Sequence, residues 1–103
     1  MTHSRDSNFG DYLAGALKDP AEAAAYIEAA IELDDPAALL VAMRHVAQAH
    51  GMAEVTRRTG MGEKSLFRAL SANGNPTLAT IQKTLHAMGL RLSVQPLDAA
   101  GSV

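Results

Sequence analysis

The sequence contains no cysteine, no tryptophan and only four aromatic residues in 103. Without cysteine the chain can form neither a disulfide nor a thiolate metal site. No apolar run approaches the roughly 18–20 residues that span a bilayer. The first twelve residues also lack the apolar segment of a secretory signal. We therefore expect a cytoplasmic protein that does not associate with membranes.

Catalytic patterns are missing as well. The sequence shows neither a glycine-rich phosphate loop nor a nucleophile paired with a base. His45 and His50 lie five positions apart on one predicted helix, and His86 stands alone, so these histidines are poor joint metal ligands. We expect no enzymatic activity, no cofactor, no metal and no small-molecule substrate.

What the sequence has in abundance is alanine and helical periodicity. Its length suits one domain with a core, and abundant alanine favours closely packed helices over sheets. Apolar residues recurring every three or four positions predict an all-α bundle of five to six helices. We divide the chain into disordered residues 1–8, an acidic helical pair at 9–35, a DNA-binding domain at 36–97 and a loose tail at 98–103.

Three helices are predicted before the central motif. The first carries apolar residues at Phe9, Tyr12, Leu13, Ala16 and Leu17. The second begins at Asp19-Pro20, with Glu22 completing a capping box, and runs to about Leu33. Its predicted inner face is Ala23, Ile27, Ala30 and Ile31. The third runs from Pro36 to His50 and ends at Gly51 in a left-handed cap; its predicted buried residues are Leu39, Leu40, Met43, Val46 and Ala47.

The central motif, Met52 to Leu70, is typical of a helix-turn-helix. Gly60 suits a turn with positive φ, and Gly62 can cap the second short helix. Small or apolar residues occupy the positions where the two helices must touch, namely Val55, Thr59, Met61, Leu66 and Ala69. This geometry presents the second helix to the major groove of DNA.

The second helix therefore supplies the candidate base-reading residues, which are Glu63, Lys64, Ser65, Phe67 and Arg68. Lysine and arginine donate to guanine, glutamate accepts from cytosine, and phenylalanine packs on a thymine methyl. Phosphate contacts are expected from Arg57, Asn73, Asn75 and Thr77. Arg58 and Lys83 fit ordinary surface positions equally well.

After a loop at residues 71–76, Thr77 is predicted to cap a last helix with inner residues Leu78, Ile81, Leu85 and Met88. From Leu90 to Gln95 the pattern alternates, which predicts a short C-terminal β-strand. A lone strand cannot satisfy its backbone. We expect Leu90, Leu92 and Val94 to pair with a second copy or with another protein, the alternative being an extended segment docked on the helices.

Charge is divided unevenly along the chain. Residues 1–36 contain two basic and eight acidic residues, a net charge of −6, whereas residues 37–103 contain seven basic and three acidic residues, a net charge of +4. The basic part contains the helix-turn-helix, as a polyanionic partner requires. The acidic part would face away from DNA or bind something basic, although a solvated helix face explains it too.

The segment LFRALSANGNPTLATIQKTLHAMGLRLSV, preceded by GMAEVTRRTGMGEKS and by the acidic lead from Asp11 to Gly51, resembles the addiction-module antidote proteins of the HigA-like group. That group belongs to the Cro/CI-type, lambda-repressor-like helix-turn-helix superfamily. Where it usually has alanine and serine, this chain has Thr56 and Gly62. The resemblance covers roughly Phe9 to Leu97.

The resemblance implies a homodimer that binds double-stranded operator DNA in its own promoter and neutralises a small, basic RelE-like ribonuclease toxin. Such a toxin would account for the acidic first third. Two alternatives stay open on the residues alone. One is a stand-alone prophage-type repressor, and the other is a protein-interaction module that does not read DNA.

Overall fold

The computed structural model describes residues 13–97, which form helices joined by short connections. Residues 13–16 are helical. Five longer helices follow, which we name α1 (Pro20–Glu32), α2 (Pro36–His50), α3 (Met52–Thr59), α4 (Glu63–Ala69) and α5 (Leu78–Ala87). The prediction of a mainly helical fold is confirmed. Residues 1–12, which include the predicted disordered segment 1–8 and the predicted helical positions Phe9 and Tyr12, and the tail at 98–103 lie outside the described residues.

The first two helices begin where the sequence predicts. Asp19 and Asp35 occupy their N-cap positions, each followed by a proline. The Asp35 carboxylate accepts a hydrogen bond of 3.0 Å from the amide of Ala37, which satisfies one free N–H of the first turn. The capping box at Asp19 and Glu22 is wrong, because no side-chain hydrogen bond caps α1. There the backbone carbonyl of Asp19 accepts from the amide of Ala23 at 2.8 Å.

A single apolar core connects α1 through α5. Helix α3 packs against α2, α4 and α5, and α1 packs against α2. The largest fully buried apolar side chains come from α2, α3 and α4 and from the residues just after α4 and α5: Met43, Val46, Val55, Leu66, Leu70 and Met88. None of the helices in this part of the chain is both long enough and apolar enough to cross a membrane.

Two predicted core residues are exposed instead. Ile31 is 51% exposed near the end of α1, and Leu78 is 64% exposed in the first turn of α5. The buried residues of α5 are Thr84, Leu85 and Ala87, all in its second half, so Leu78 in the first turn precedes the packed part of the helix. Thr84 is fully buried. Its hydroxyl donates to the carbonyl of Thr80 at 2.7 Å, so the buried polar group has a hydrogen-bond partner within the helix.

The predicted strand from Leu90 to Gln95 is wrong. The described chain carries no strand pairing there, because everything else between residues 13 and 97 is helix, turn or loop. The amide of Leu90 donates to the carbonyl of Leu85 at 2.8 Å, which closes the end of α5. Beyond this point Val94 is 96% exposed and Leu97 is 99% exposed.

A polar contact joins α1 to α2 beside this core. The Tyr26 hydroxyl and Nδ1 of His45 are hydrogen-bonded at 2.7 Å. Burial, together with the positive charge of neighbouring Arg44, lowers the pKa of His45 below its usual value of 6.5. The folded protein therefore favours the neutral imidazole.

This pKa shift predicts acid sensitivity. Unfolded His45 takes up a proton near pH 6.5 while folded His45 resists it until lower pH. The stability it contributes is therefore present above about pH 6.5 and is lost as the pH falls through the folded pKa. Urea unfolding between about pH 7.5 and 5.5 should show this decrease. His45→Gln should flatten the dependence, whereas the exposed His86→Gln should preserve it, and equal slopes for both would contradict the assignment.

Candidate nucleic-acid interface

Helices α3 and α4 are joined by a tight turn at the position the sequence predicts. Gly60 has φ 76° and ψ 7°, the left-handed conformation that glycine adopts without steric cost. The Thr59 hydroxyl accepts from the amide of Met61 at 3.2 Å and donates to the carbonyl of Thr56 at 3.2 Å. The predicted left-handed cap at Gly51 is only half right, because its φ of 99° is positive but its ψ of 116° is not that of a left-handed turn.

Helix α4 has one buried face and one exposed face. Leu66 is fully buried, as is Leu70 just after the helix, and Ala69 is half-buried. The candidate base-reading residues lie on the opposite side, where Glu63, Lys64, Ser65 and Arg68 are exposed and Phe67 is half-buried. The core thus holds α4 rigidly while its polar side chains remain accessible.

The loop after α4 brings a second group of candidate residues to the first. A surface depression, which we call the Arg68 concavity, is lined by Ser65, Arg68, Ala69, Asn73, Gly74, Asn75 and Pro76. Two predicted base-reading residues and two predicted phosphate contacts therefore share one recess. Donors at this spacing could contact a base edge and its flanking phosphate together.

Gly74 allows this approach, although the sequence predicts it only as part of the loop at residues 71–76. A Cβ atom at Gly74 would lie 2.2 Å from the carbonyl oxygen of Ala69 and 2.8 Å from that of Arg68. The amide of Gly74 also donates to the carbonyl of Ser71 at 2.8 Å. The loop can lie directly on the end of α4 only because residue 74 has no side chain.

Gly74→Ala should therefore destabilise the fold by about 1–3 kcal/mol and displace the loop from Arg68. The added Cβ atom would overlap the backbone carbonyls of Arg68 and Ala69, which cannot rotate away as a flexible side chain can. Gly15→Ala is a control, since a Cβ at Gly15 meets nothing within 4 Å and its φ is not positive. Thermal unfolding followed by circular dichroism should separate the two variants, and similar melting temperatures would refute the steric argument.

The remaining predicted phosphate contacts are already engaged within the protein. The Thr77 hydroxyl caps α5 by accepting from the amide of Thr80 at 3.2 Å. Arg57 forms a two-point ion pair with Glu54. These bonds hold the pKa of Glu54 below its usual range and raise that of Arg57. Both side chains remain exposed, so either could still meet a phosphate.

Arg58 has a structural contact that the sequence did not indicate. Its Nε donates to Glu54 at 2.6 Å, and its Nη1 donates to the carbonyl of Ala87 at 3.0 Å. Arg58 thus ties α3 to the end of α5. Within residues 13–97 no group of three or more histidine and acidic side chains is placed to hold a metal ion.

Comparison with known proteins identifies the family. The family model described as "Probable addiction module antidote protein" matches residues 8–96. The chain belongs to this family. An uncharacterized protein of Haemophilus influenzae is 34% identical over 70 residues, which cover 68% of this chain and 72% of the relative. No solved structure matches.

Membership in this family implies a protein partner for the chain. An antidote of an addiction module implies a toxin as its partner. The matched region contains α1 to α5 and the Arg68 concavity. Two exposed polar surfaces of this antidote protein lie within the matched region. One is on α1, where Glu22, Glu28 and Glu32 are exposed, and the other is the polar face of α4.

Proposed function

We propose that this protein is the antitoxin of a type II toxin–antitoxin module, a cytoplasmic and non-enzymatic dimer that represses its own promoter and neutralises a basic RelE-like ribonuclease. The observation that carries the DNA-binding half is the two-sided α4. Its apolar face is anchored in the core at Leu66, and Lys64, Ser65 and Arg68 are exposed together. This is the arrangement that a lambda-repressor-like recognition helix needs.

In this proposal, α4 lies in the major groove. Arg68 and Lys64 donate to guanine O6 and N7, Ser65 bonds to a base edge, and Glu63 accepts from cytosine N4. Phe67 packs on a thymine methyl group. Asn73, Asn75, Thr77 and Arg57 contact the phosphates on either side and set the register of the helix.

Useful affinity requires two copies, because α4 offers only two cations and one acid. The C-terminal segment, residues 90–97, supports dimer formation. Leu92, Val94 and Leu97 are exposed there. Several exposed apolar side chains within one short segment are typical of a protein-contact surface. We propose that this segment, from Leu90 onward, joins two copies and spaces their α4 helices for successive half-sites.

The toxin-binding half of the proposal rests on the surface of α1. An apolar groove between α1 and α2 is lined by Tyr26, Ala29, Ala30, Leu33, Ala37, Ala38, Val41 and Ala42. Acidic side chains are exposed on the same helix and in the turn that follows: Glu22, Glu32 and Asp34. Glu28 lines a different groove, between α1 and the segment after α5. Within residues 13–97 the ion pairs are those of Glu54, so Glu22, Glu32 and Asp34 can meet a basic partner. The Asp35 carboxylate is used to cap α2.

Two measurements test the proposal as a whole. A gel shift with DNA from upstream of the gene should show retardation that weakens as salt rises, and light scattering should give twice the chain mass of 10.8 kDa. Co-expression with a neighbouring gene for a small basic protein should yield a co-purifying complex. Retardation without any complex would favour a stand-alone repressor, and a complex without retardation would favour a pure protein-interaction module.

Leu33→Lys should weaken the toxin complex by about tenfold or more, because Leu33 is 68% exposed at the edge of the apolar groove. Leu78→Lys is the matched control, since Leu78 is equally exposed but lies on α5. Calorimetric titration of each variant with the co-purified partner gives the comparison. Equal losses for the two variants would place the toxin elsewhere.

A further inference from the structure

We propose that Glu54 restrains the affinity of this protein for DNA by occupying Arg57, so that a carboxylate and a phosphate compete for one guanidinium group. The inference rests on the DNA-binding function proposed above. It adds a residue that limits this binding, and it is carried by the contacts on the outer face of α3.

Glu54, Arg57 and Arg58 lie within two turns of α3. Arg57 binds both carboxylate oxygens of Glu54, with Nε donating to Oε1 at 3.2 Å and Nη2 donating to Oε2. Arg58 Nε donates to Oε2 at 2.6 Å. One carboxylate therefore holds two cations that the sequence alone would count as available to DNA.

The two arginines differ in what else they contact. Arg58 is also bonded to the carbonyl of Ala87, so it is held from two sides and belongs to the α3–α5 contact. The hydrogen bonds that Arg57 donates within the described residues go to Glu54. Its side chain is 70% exposed, which leaves a phosphate room to approach it. Arg57 is therefore the cation that DNA can recruit.

Recruitment requires Glu54 to give way. An exposed ion pair in water is weak, and DNA offers a dense row of negative charges, so exchange of partners is feasible. Once Arg57 turns to a phosphate, Glu54 loses its bidentate partner and stands close to the incoming negative charge. Glu54 thus opposes binding by competition and then by repulsion.

The test uses the full chain and a duplex of about 30 base pairs of arbitrary sequence, because phosphate contacts do not depend on the operator. Fluorescence anisotropy between about 50 and 250 mM KCl gives both the affinity and its salt dependence. Glu54→Gln removes the competing charge and keeps one acceptor for Arg58. Glu28→Gln on exposed α1 removes the same charge without releasing an arginine.

Glu54→Gln should bind about three- to tenfold tighter than wild type at low salt. Its salt slope should be steeper by up to about one unit, because Arg57 then meets a phosphate in every complex and not only in those where it has left Glu54. Glu28→Gln should stay within about twofold of wild type. In an Arg57→Gln background the gain from Glu54→Gln should fall to that of Glu28→Gln, because no guanidinium is left for Glu54 to withhold from the phosphate. Circular dichroism should show the same helical content for all variants.

Two results would overturn the inference while leaving the proposed function intact. Either Glu54→Gln gains no more than Glu28→Gln, or its gain persists without Arg57. If wild type and Glu54→Gln both fail to bind the duplex and the upstream DNA at any salt concentration, the DNA-binding function itself fails, and the inference falls with it.

Discussion

Replacing Lys64 and Arg68 together with alanine is expected to weaken binding to the upstream DNA by about a hundredfold or more. Each bidentate contact to guanine contributes about 1–3 kcal/mol, and 1.4 kcal/mol corresponds to a factor of ten. Both side chains are exposed, so their removal should leave the core unchanged. Fluorescence anisotropy with the upstream duplex and a scrambled duplex measures the loss of affinity and of sequence preference.

The control for this variant removes two exposed cations elsewhere. Lys83 lies on α5 and Arg91 follows it, and both are exposed outside α4. Lys83→Ala with Arg91→Ala should lower affinity through net charge but preserve the preference for the upstream sequence. If the Lys64 and Arg68 variant kept wild-type affinity and salt slope, α4 would not be the recognition helix.

Leu66→Ala is expected to produce the largest loss of stability among single substitutions in α4. Leu66 is fully buried in the same core as Val55 and Met88, so truncation leaves a cavity that costs about 2–5 kcal/mol. Domains of this size have only about 5–15 kcal/mol in total. A cost near 3 kcal/mol lowers the melting temperature by roughly 12–24 °C. Thermal unfolding by circular dichroism measures this directly.

Leu78→Ala provides the comparison for Leu66→Ala. It removes the same atoms from a leucine that is 64% exposed, so its effect should stay within about 0.5 kcal/mol. The two variants differ only in burial. A melting temperature of Leu66→Ala within a few degrees of wild type would mean that α4 is not anchored in the core as described.

The helix boundaries were the most predictable part of the fold. Helix α2 runs from Pro36 to His50, the predicted bounds, because its start and end are encoded locally. An aspartate with a following proline begins the helix, and Gly51 ends it through a positive φ. Each signal acts within one turn of the chain and needs no knowledge of the rest of the molecule.

Apart from the capping box at Asp19 and Glu22 and the backbone angles of Gly51, which are local, the predictions that failed required knowledge of neighbours. Ile31 and Leu78 fit the helical periodicity, yet both are exposed. Ile31 lies beside the buried face of α1 near its end, and Leu78 precedes the part of α5 that is packed. The alternation from Leu90 to Gln95 is typical of a strand, but a strand exists only when a second strand pairs with it. A periodic pattern says which face is apolar, not what covers it.

Some features of the candidate site also follow from the local sequence, and others depend on tertiary contacts. The exposed positions of Lys64 and Arg68 follow from placing Leu66 and Leu70 inside, which the spacing alone indicates. The occupation of Arg57 by Glu54 is a local contact, three residues apart on one helix, and the sequence could have revealed it. The bond from Arg58 to Ala87 joins residues 29 positions apart and could not have been found that way.

The sequence by itself therefore determined the helices, the turn at Gly60 and the face of α4 that meets solvent, because these depend on side-chain sterics and periodicity within a few residues. Only the tertiary structure decided three other features. The loop at Gly74 lies against α4, Arg58 bonds to the end of α5, and Leu78 is exposed instead of buried in the core. Those outcomes depend on which distant atoms come into contact, and a Cβ 2.2 Å from a carbonyl oxygen becomes visible only once the chain is folded.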